Sequence, residues 1–225
     1  MAANKNALII GASRGLGLGL TQELLSRGWL VTGTQRTPSA TLAASGATVI
    51  ADVDVMDAGR FQALASLLPA RQFDLIFLNA GIMAARGMAV GAIADADIIH
   101  VMMTNAIAPI RAADALIGLA APGGTIAFMT SILGSIAGNL DGRMELYRAS
   151  KAALNSLTRS FAARHAAEGL TVLSLHPGVV RTDMGGPTAP LDIPTSVRGL
   201  ADVLERRAGT KTHVYVDYRD QTIPW

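Results

Sequence analysis

Seven short, nearly continuous apolar runs alternate along this chain with stretches whose apolar residues recur every three or four positions. The runs are Ala7–Ile10, Trp29–Thr34, Thr48–Ala51, Asp74–Leu78, Thr125–Met129, Leu170–Leu175 and His213–Val216. The main helical stretches between them are Leu16–Ser26, Ala58–Leu68, Ile98–Leu119, Leu146–Ala167 and Ser196–Arg207. Strands that are apolar on both sides need cover on both faces, and strand–helix alternation supplies it through right-handed βαβ units. The pattern predicts one α/β domain over residues 1–225, with a doubly wound parallel sheet of seven strands and helices on both faces.

Composition excludes several classes. With 50% hydrophobic and 16% charged residues, the chain is far from the signature of disorder. A formal net charge of +2 gives no footprint for nucleic acid or an anionic membrane surface. Zero cysteines remove disulfides, thiolate metal sites and cysteine nucleophiles. His100, His165, His176 and His213 lack metal-ligand spacing, so no metal is expected. The uncharged stretch Ala115–Leu140 has the length of a membrane span. Pro122-Gly123-Gly124 and several hydroxyl residues interrupt it, so it reads as a helix end, a turn and a buried strand. The first ten residues hold no signal-like apolar core, and a cytoplasmic protein is expected.

Chemistry concentrates at three places. The first strand runs into Gly11-Ala12-Ser13-Arg14-Gly15-Leu16-Gly17 and then a helix. Glycines there permit a tight turn and let a pyrophosphate approach backbone N–H groups at the positive end of the helix, the arrangement of a Rossmann-type site. The second strand ends in Thr34-Gln35-Arg36, without the acidic residue that would hold a free ribose 2′-hydroxyl. Arg36 and Arg14 suit a 2′-phosphate instead, because a guanidinium matches phosphate oxygens bidentately, so NADP(H) is expected over NAD(H). Finally, Tyr147 and Lys151 share a helix face at i, i+4, where a cation is expected to lower the phenol pKa toward working pH and make Tyr147 a general acid. Ser131, at the end of the fifth strand, offers a hydroxyl to the same carbonyl oxygen.

GxxxGxG at Gly11–Gly17, Asn79-Ala80-Gly81, Asn105, Ser131, Tyr147-x-x-x-Lys151 and Pro177-Gly178 occur in the order found in compact short-chain dehydrogenases/reductases, and the chain resembles that family over essentially its whole length. Arg181-Thr182-Asp183-Met184-Gly185-Gly186-Pro187 and Ile223-Pro224-Trp225 resemble its C-factor-like and sniffer-like carbonyl reductases. The resemblance implies hydride transfer between NADP(H) and a small carbonyl or alcohol. It implies Tyr147 as proton donor, Ser131 orienting the carbonyl, Lys151 on the nicotinamide ribose and Asn105 holding a relay water. It further implies cofactor contacts from Gly11, Ser13, Arg14, Gly15, Leu16, Gly17, Arg36, Asp52, Val53, Asn79, Ala80, Gly81, Tyr147, Lys151, Pro177, Gly178, Val180 and Thr182.

The chain departs from the family at Ile10 and Leu78, where Thr and Asn are usual, which weakens a supporting hydrogen-bond link. Ser131 and Tyr147 lie sixteen positions apart, more than usual, which enlarges the loop between them and makes Ser135 the alternative hydroxyl. Residues 183–194 read as a substrate lid. A homodimer or homotetramer through the Ala-rich helices Ile98–Leu119 and Leu146–Ala167 is expected. A dinucleotide-binding sensor of the same fold with little turnover is the alternative. An extended epimerase is set aside, because the stretch after Gly178 is too short for its substrate domain.

Overall fold

The computed structural model describes residues 4–225, so the first three residues of the expected domain lie outside it. Seven parallel strands form one sheet in the order β3-β2-β1-β4-β5-β6-β7. These are β1 (Asn6–Ile10), β2 (Leu30–Thr34), β3 (Thr48–Ile50), β4 (Phe73–Leu78), β5 (Ala120–Met129), β6 (Thr171–His176) and β7 (His213–Asp217). Chain order reverses at β1 and β4, whose carboxyl ends open the crevice where such sheets bind ligands.

Alternate residues of each strand feed two cores. Ala7 and Ile9 of β1 join Leu75 and Phe77 of β4 beneath α1 (Gly15–Ser26) and α7 (Ile193–Arg207). Leu8, Ile10, Ile76 and Leu78 pack on the opposite face under α3 (Ala58–Leu67), α5 (Ala108–Leu116) and α6 (Glu145–Arg164). Both faces are sealed, which is why the strands read as continuous apolar runs rather than alternating ones. The short α2 (Ala40–Ala43), which periodicity misses, is capped by Ser39 and drops Leu42 into the first core.

Two expectations need correction. The stretch Ile98–Leu119 is not one straight helix: α4 (Asp95–Met102) passes through a π-helical segment, Met103–Ile107, before α5 begins. Pro109 has no N–H to donate to the carbonyl of Asn105, so the α-helical ladder is broken around that residue. Pro122-Gly123-Gly124 also lies inside β5, as an irregularity that shifts its pairing with β4 between Phe73 and Leu75, and Gly123 takes a positive φ of 75°.

Candidate active site

β1 turns into α1 through a glycine cradle. Gly11 has φ 88°, and the Cβ of any other residue there would lie 3.4 Å from the Ala80 backbone nitrogen. A Cβ on Gly17 would collide with the Gly11 carbonyl oxygen and lie 2.6 Å from Asn79 Nδ2. The weakened link at Ile10 and Leu78 is replaced: Asn79 N–H donates to the Ile10 carbonyl at 3.1 Å and Asn79 Nδ2 to the Gly11 carbonyl at 2.9 Å. Thr34, at the end of β2, accepts from Gly11 N–H at 3.0 Å.

The N-terminus of α1 carries no side-chain cap and no acidic residue in its first turn. Its N–H groups, contributed around Gly15, Leu16 and Gly17, are free for an anion. A Cβ built on Gly15 would meet only Thr182 Cγ2, at 4.0 Å, so the groove between the two segments is narrow but open. Ser13 is half-buried in the turn before α1, and Arg14, exposed, stands at its N-cap. A pyrophosphate fits this cradle on steric and electrostatic grounds.

Arg36 is largely exposed and only 3.7 Å from Asp54, a loose pairing that leaves its guanidinium available. Arg14 reaches across the groove to Asp183 at 2.7 Å. Beyond β3, Asp52 is exposed in a left-handed conformation with φ 56°, whereas Val53 is buried and its N–H donates to the Gln35 carbonyl at 3.0 Å.

The second half of the site converges on the N-terminal turns of α6. Tyr147 and Lys151 are both buried, with Lys151 Nζ 5.8 Å from the centre of the Tyr147 ring. Lys151 donates to the Met129 carbonyl at 3.0 Å. A Cβ on Gly81 would lie 3.4 Å from Lys151 Nζ and 3.5 Å from Asn105 Oδ1, so Gly81 brings the β4 loop against both groups. Asn105 is completely buried in the π-helical segment. Its Oδ1 accepts from Ile82 N–H at 2.8 Å, and its Nδ2 donates to the Ile82 carbonyl at 2.8 Å and to Ser150 Oγ at 3.0 Å.

Ser131 caps a short 3₁₀ turn, Ile132–Gly134, by accepting from Leu133 N–H at 3.2 Å, which leaves its hydroxyl proton free to donate. It faces the Tyr147 phenol. Ser135 makes the same kind of bond, accepting from Gly138 N–H at 2.9 Å, but it is Ser131 that faces the phenol. Pro177 accepts from Ser196 Oγ at 2.6 Å, which anchors the end of β6 to α7. Gly178 has φ 84°, and Val180 is buried and bridges to Leu191.

The electrostatics differ from the expectation that a cation lowers the tyrosine pKa. Burial pushes the Tyr147 phenol up to about 12, with the Ser131 hydroxyl and the Arg86 charge only partly opposing it. Burial likewise brings the Lys151 ammonium down to about 8. The ammonium spends a hydrogen bond on Met129, and desolvation is the largest influence on the phenol. Tyr147 is therefore a held proton in this arrangement, the form a general acid requires.

A sequence profile of the short chain dehydrogenase family matches residues 5–190. The chain belongs to the short-chain dehydrogenase family. Among solved structures, a short-chain dehydrogenase/reductase from Burkholderia multivorans with bound NADP superposes with a TM-score of 0.95 at 41% identity, covering 99% of this chain and 100% of that one. A carbonyl reductase from Pseudomonas aeruginosa in complex with NADP gives 0.89 at 41% identity, again over 99% and 100% of the two chains. C-signal of Myxococcus xanthus is 38% identical over 154 residues, which is 68% of this chain and 92% of that protein.

Sequence reasoning singled out neither Arg86 nor Met184 as functional, yet Tyr147 OH lies 3.8 Å from Met184 Sδ and Arg86 donates to the Met184 carbonyl. Neither has a spacing signal, because each reaches the site through a loop. The segment expected to be a lid is also shorter than read. Asp192 caps α7 by accepting from Thr195 N–H at 2.8 Å, so Ile193 and Pro194 belong to that helix. The ends of the segment are tied by Arg181 N–H to the Leu191 carbonyl at 2.8 Å and Leu191 N–H to the Val179 carbonyl at 3.1 Å.

Proposed function

We propose that this short-chain dehydrogenase is an NADP(H)-dependent oxidoreductase that interconverts a small carbonyl compound and its alcohol, with Tyr147 as the proton donor in reduction. The observation that carries this reading is a buried Tyr147 with Lys151 over its ring and the Ser131 hydroxyl beside its phenol. The Gly11–Gly17 cradle and the uncapped start of α1 would hold the pyrophosphate, Arg36 the 2′-phosphate, Asp52 and Val53 the adenine, and Asn79-Ala80-Gly81 the adenosine side. Pro177, Gly178, Val180 and Thr182 would flank the nicotinamide. The bound dinucleotide supplies the hydride.

The protein's own residues handle the oxygen. Ser131 donates to the carbonyl, and the Tyr147 proton moves to the oxygen as negative charge develops there. Lys151 offers its ammonium to the ribose and to the phenolate left behind. Asn105, closed on Ile82 and Ser150, braces the helix turn beneath them.

Met184, beside the Tyr147 phenol, favours an apolar substrate body. Residues 183–192 act as a lid, held without ligand by Arg14 to Asp183 and by Arg86 to the Met184 carbonyl. Limited proteolysis within this segment should slow when NADPH is added, and equal cutting in both states refutes the lid. The same reading expects a cytoplasmic homodimer or homotetramer built on α4–α6, which a 23 kDa species in light scattering would exclude.

NADPH oxidation by the purified protein across aldehydes, ketones and quinones, beside NADH and Tyr147→Phe, tests the whole reading. Turnover should prefer NADPH and fall about 10²–10⁴-fold in the variant, while NADPH binding persists. The likeness to C-signal favours a second reading, a dinucleotide-binding sensor with little turnover. Tight NADPH binding without turnover of any carbonyl would select it.

A further inference from the structure

β5 makes its last ladder bond from Thr130 N–H to the Leu175 carbonyl at 2.9 Å. Ser131, one residue later, has left the sheet and enters a loop that runs to Met144. A serine at the mouth of so long a loop needs anchors from elsewhere if its hydroxyl is to be fixed.

The anchors come from β7 and α6. Tyr215, fully buried in the middle of β7, donates its hydroxyl to the Ser131 backbone carbonyl, 84 positions away in sequence. The same carbonyl accepts from Gly134 N–H at 2.9 Å. Asn155 of α6 binds both flanks: its Oδ1 accepts from Thr130 Oγ1 at 2.8 Å and its Nδ2 donates to the Gly134 carbonyl at 3.2 Å. Trp225 packs on the Tyr215 ring at 5.1 Å between centroids, and its carbonyl accepts from Ala137 N–H at 3.1 Å. The β7 side of the molecule therefore grips the loop at Ser131 and again at Ala137.

We infer that Tyr215 is a positioning residue for the reaction, its hydroxyl holding the Ser131 peptide so that the Ser131 side chain points at the substrate oxygen. It touches neither substrate nor cofactor and acts only through Ser131, so the inference rests on the proposed role of that serine. A carbonyl released from Tyr215 lets the Ser131 Cα shift and carry Oγ with it, and misplacement by about 1 Å can cost on the order of 10²-fold in rate.

A double-mutant cycle tests this with nitrobenzaldehyde and NADPH. Tyr215→Phe keeps the ring and removes only the hydroxyl. It should lower kcat about tenfold, a difference of ~1.4 kcal/mol, and leave the NADPH Kd unchanged. In a Ser131→Ala background the same change should cost less than twofold, a result that a merely structural tyrosine would not produce. An unchanged kcat in Tyr215→Phe, or an equal tenfold loss with and without Ser131, overturns the inference and leaves the reading of the site intact. Full activity in Ser131→Ala alone overturns the reading of the site and the inference with it. Thermal melting accompanies each variant. If Tyr215→Phe does not fold, Trp225→Leu, which keeps the hydroxyl but frees the ring, replaces it under the same criteria.

Discussion

The two halves of the crevice are built by opposite means. Around β1, β2 and β4 the site consists of backbone: Gly17 without room for a Cβ, Gly11 and Gly15 at positive φ, free N–H groups at the start of α1, and exposed arginines at the rim. Around β5, β6 and α6 it consists of buried side chains, with Asn105, Lys151, Asn155, Ser131 and Tyr215 all nearly or fully out of solvent. A dinucleotide can be held by backbone dipoles and surface cations, because its phosphates bring their own charge. A proton donor must instead be kept desolvated and aimed, which takes a low-dielectric setting in which every polar group is bonded. The catalytic half therefore carries an electrostatic strain that the cofactor half lacks.

Lys151→Met should expose that contrast most sharply. Turnover should fall on the order of 10²-fold or more, yet the ligand-free protein should become slightly more stable. The Lys151 ammonium sits near 8 rather than 10.5, so below about pH 8 its burial opposes folding by about 1.4 kcal/mol per unit of depression, roughly 3 kcal/mol in all. Loss of its bond to the Met129 carbonyl returns about 1–3 kcal/mol of that. A net gain of about 1 kcal/mol corresponds to a rise in Tm of roughly 2–4 °C. Calorimetry of the apo variant checks this, and a fall in Tm would mean that the carbonyl bond outweighs the desolvation.

Acid should also reach the buried half first. Burial holds His176 and His213 down near 4. Between pH 6.5 and 4 the unfolded chain then binds protons that the folded protein refuses, so stability falls as pH falls through this window. His176, whose Nδ1 is buried without a hydrogen-bond partner among the described residues, should contribute on the order of 2 kcal/mol to the loss. Denaturant titrations at pH 7 and pH 4.5 should give a smaller difference in His176→Asn than in the parent, and equal differences would refute the assignment.

The cofactor half should respond to surface charge alone. Arg36→Ala should weaken NADPH binding about tenfold to a hundredfold, the range of one charge-assisted contact, while NADH binding changes little. Titration of both dinucleotides by fluorescence decides it. An equal loss for both would move the 2′-phosphate contact away from Arg36.

Much of this contrast was already legible in the residues. Strand number, parallel order and the glycine turn follow from continuous apolar runs and from Gly11, Gly15 and Gly17. Those requirements are local, being met within a strand or a single turn. Tyr147 and Lys151 were legible for the same reason, since i, i+4 spacing on a helix is itself a geometry. The break at Met103–Ile107 was not, because a π-turn shifts the apolar stripe by a single position, which three- or four-residue spacing absorbs. The ionisation of Tyr147 was also read with the wrong sign. Spacing reveals a neighbouring cation, but burial, which decides the balance, is a property of the whole fold.

The chain's own residues thus determined the sheet, the glycine turn and the Tyr147–Lys151 pair proposed for proton transfer, since each depends on residues within about one turn or strand of one another. Only the tertiary structure decided what holds the backbone at Ser131. Ser131 and Ser135 are alike in sequence. Each hydroxyl accepts one backbone N–H, from Leu133 and from Gly138, but Tyr215, Asn155 and Gly134 close on the backbone around Ser131. Hydrogen bonds spanning 84 positions leave no period in a sequence, and they form only once the packing of α6 and β7 has brought their partners within about 3 Å.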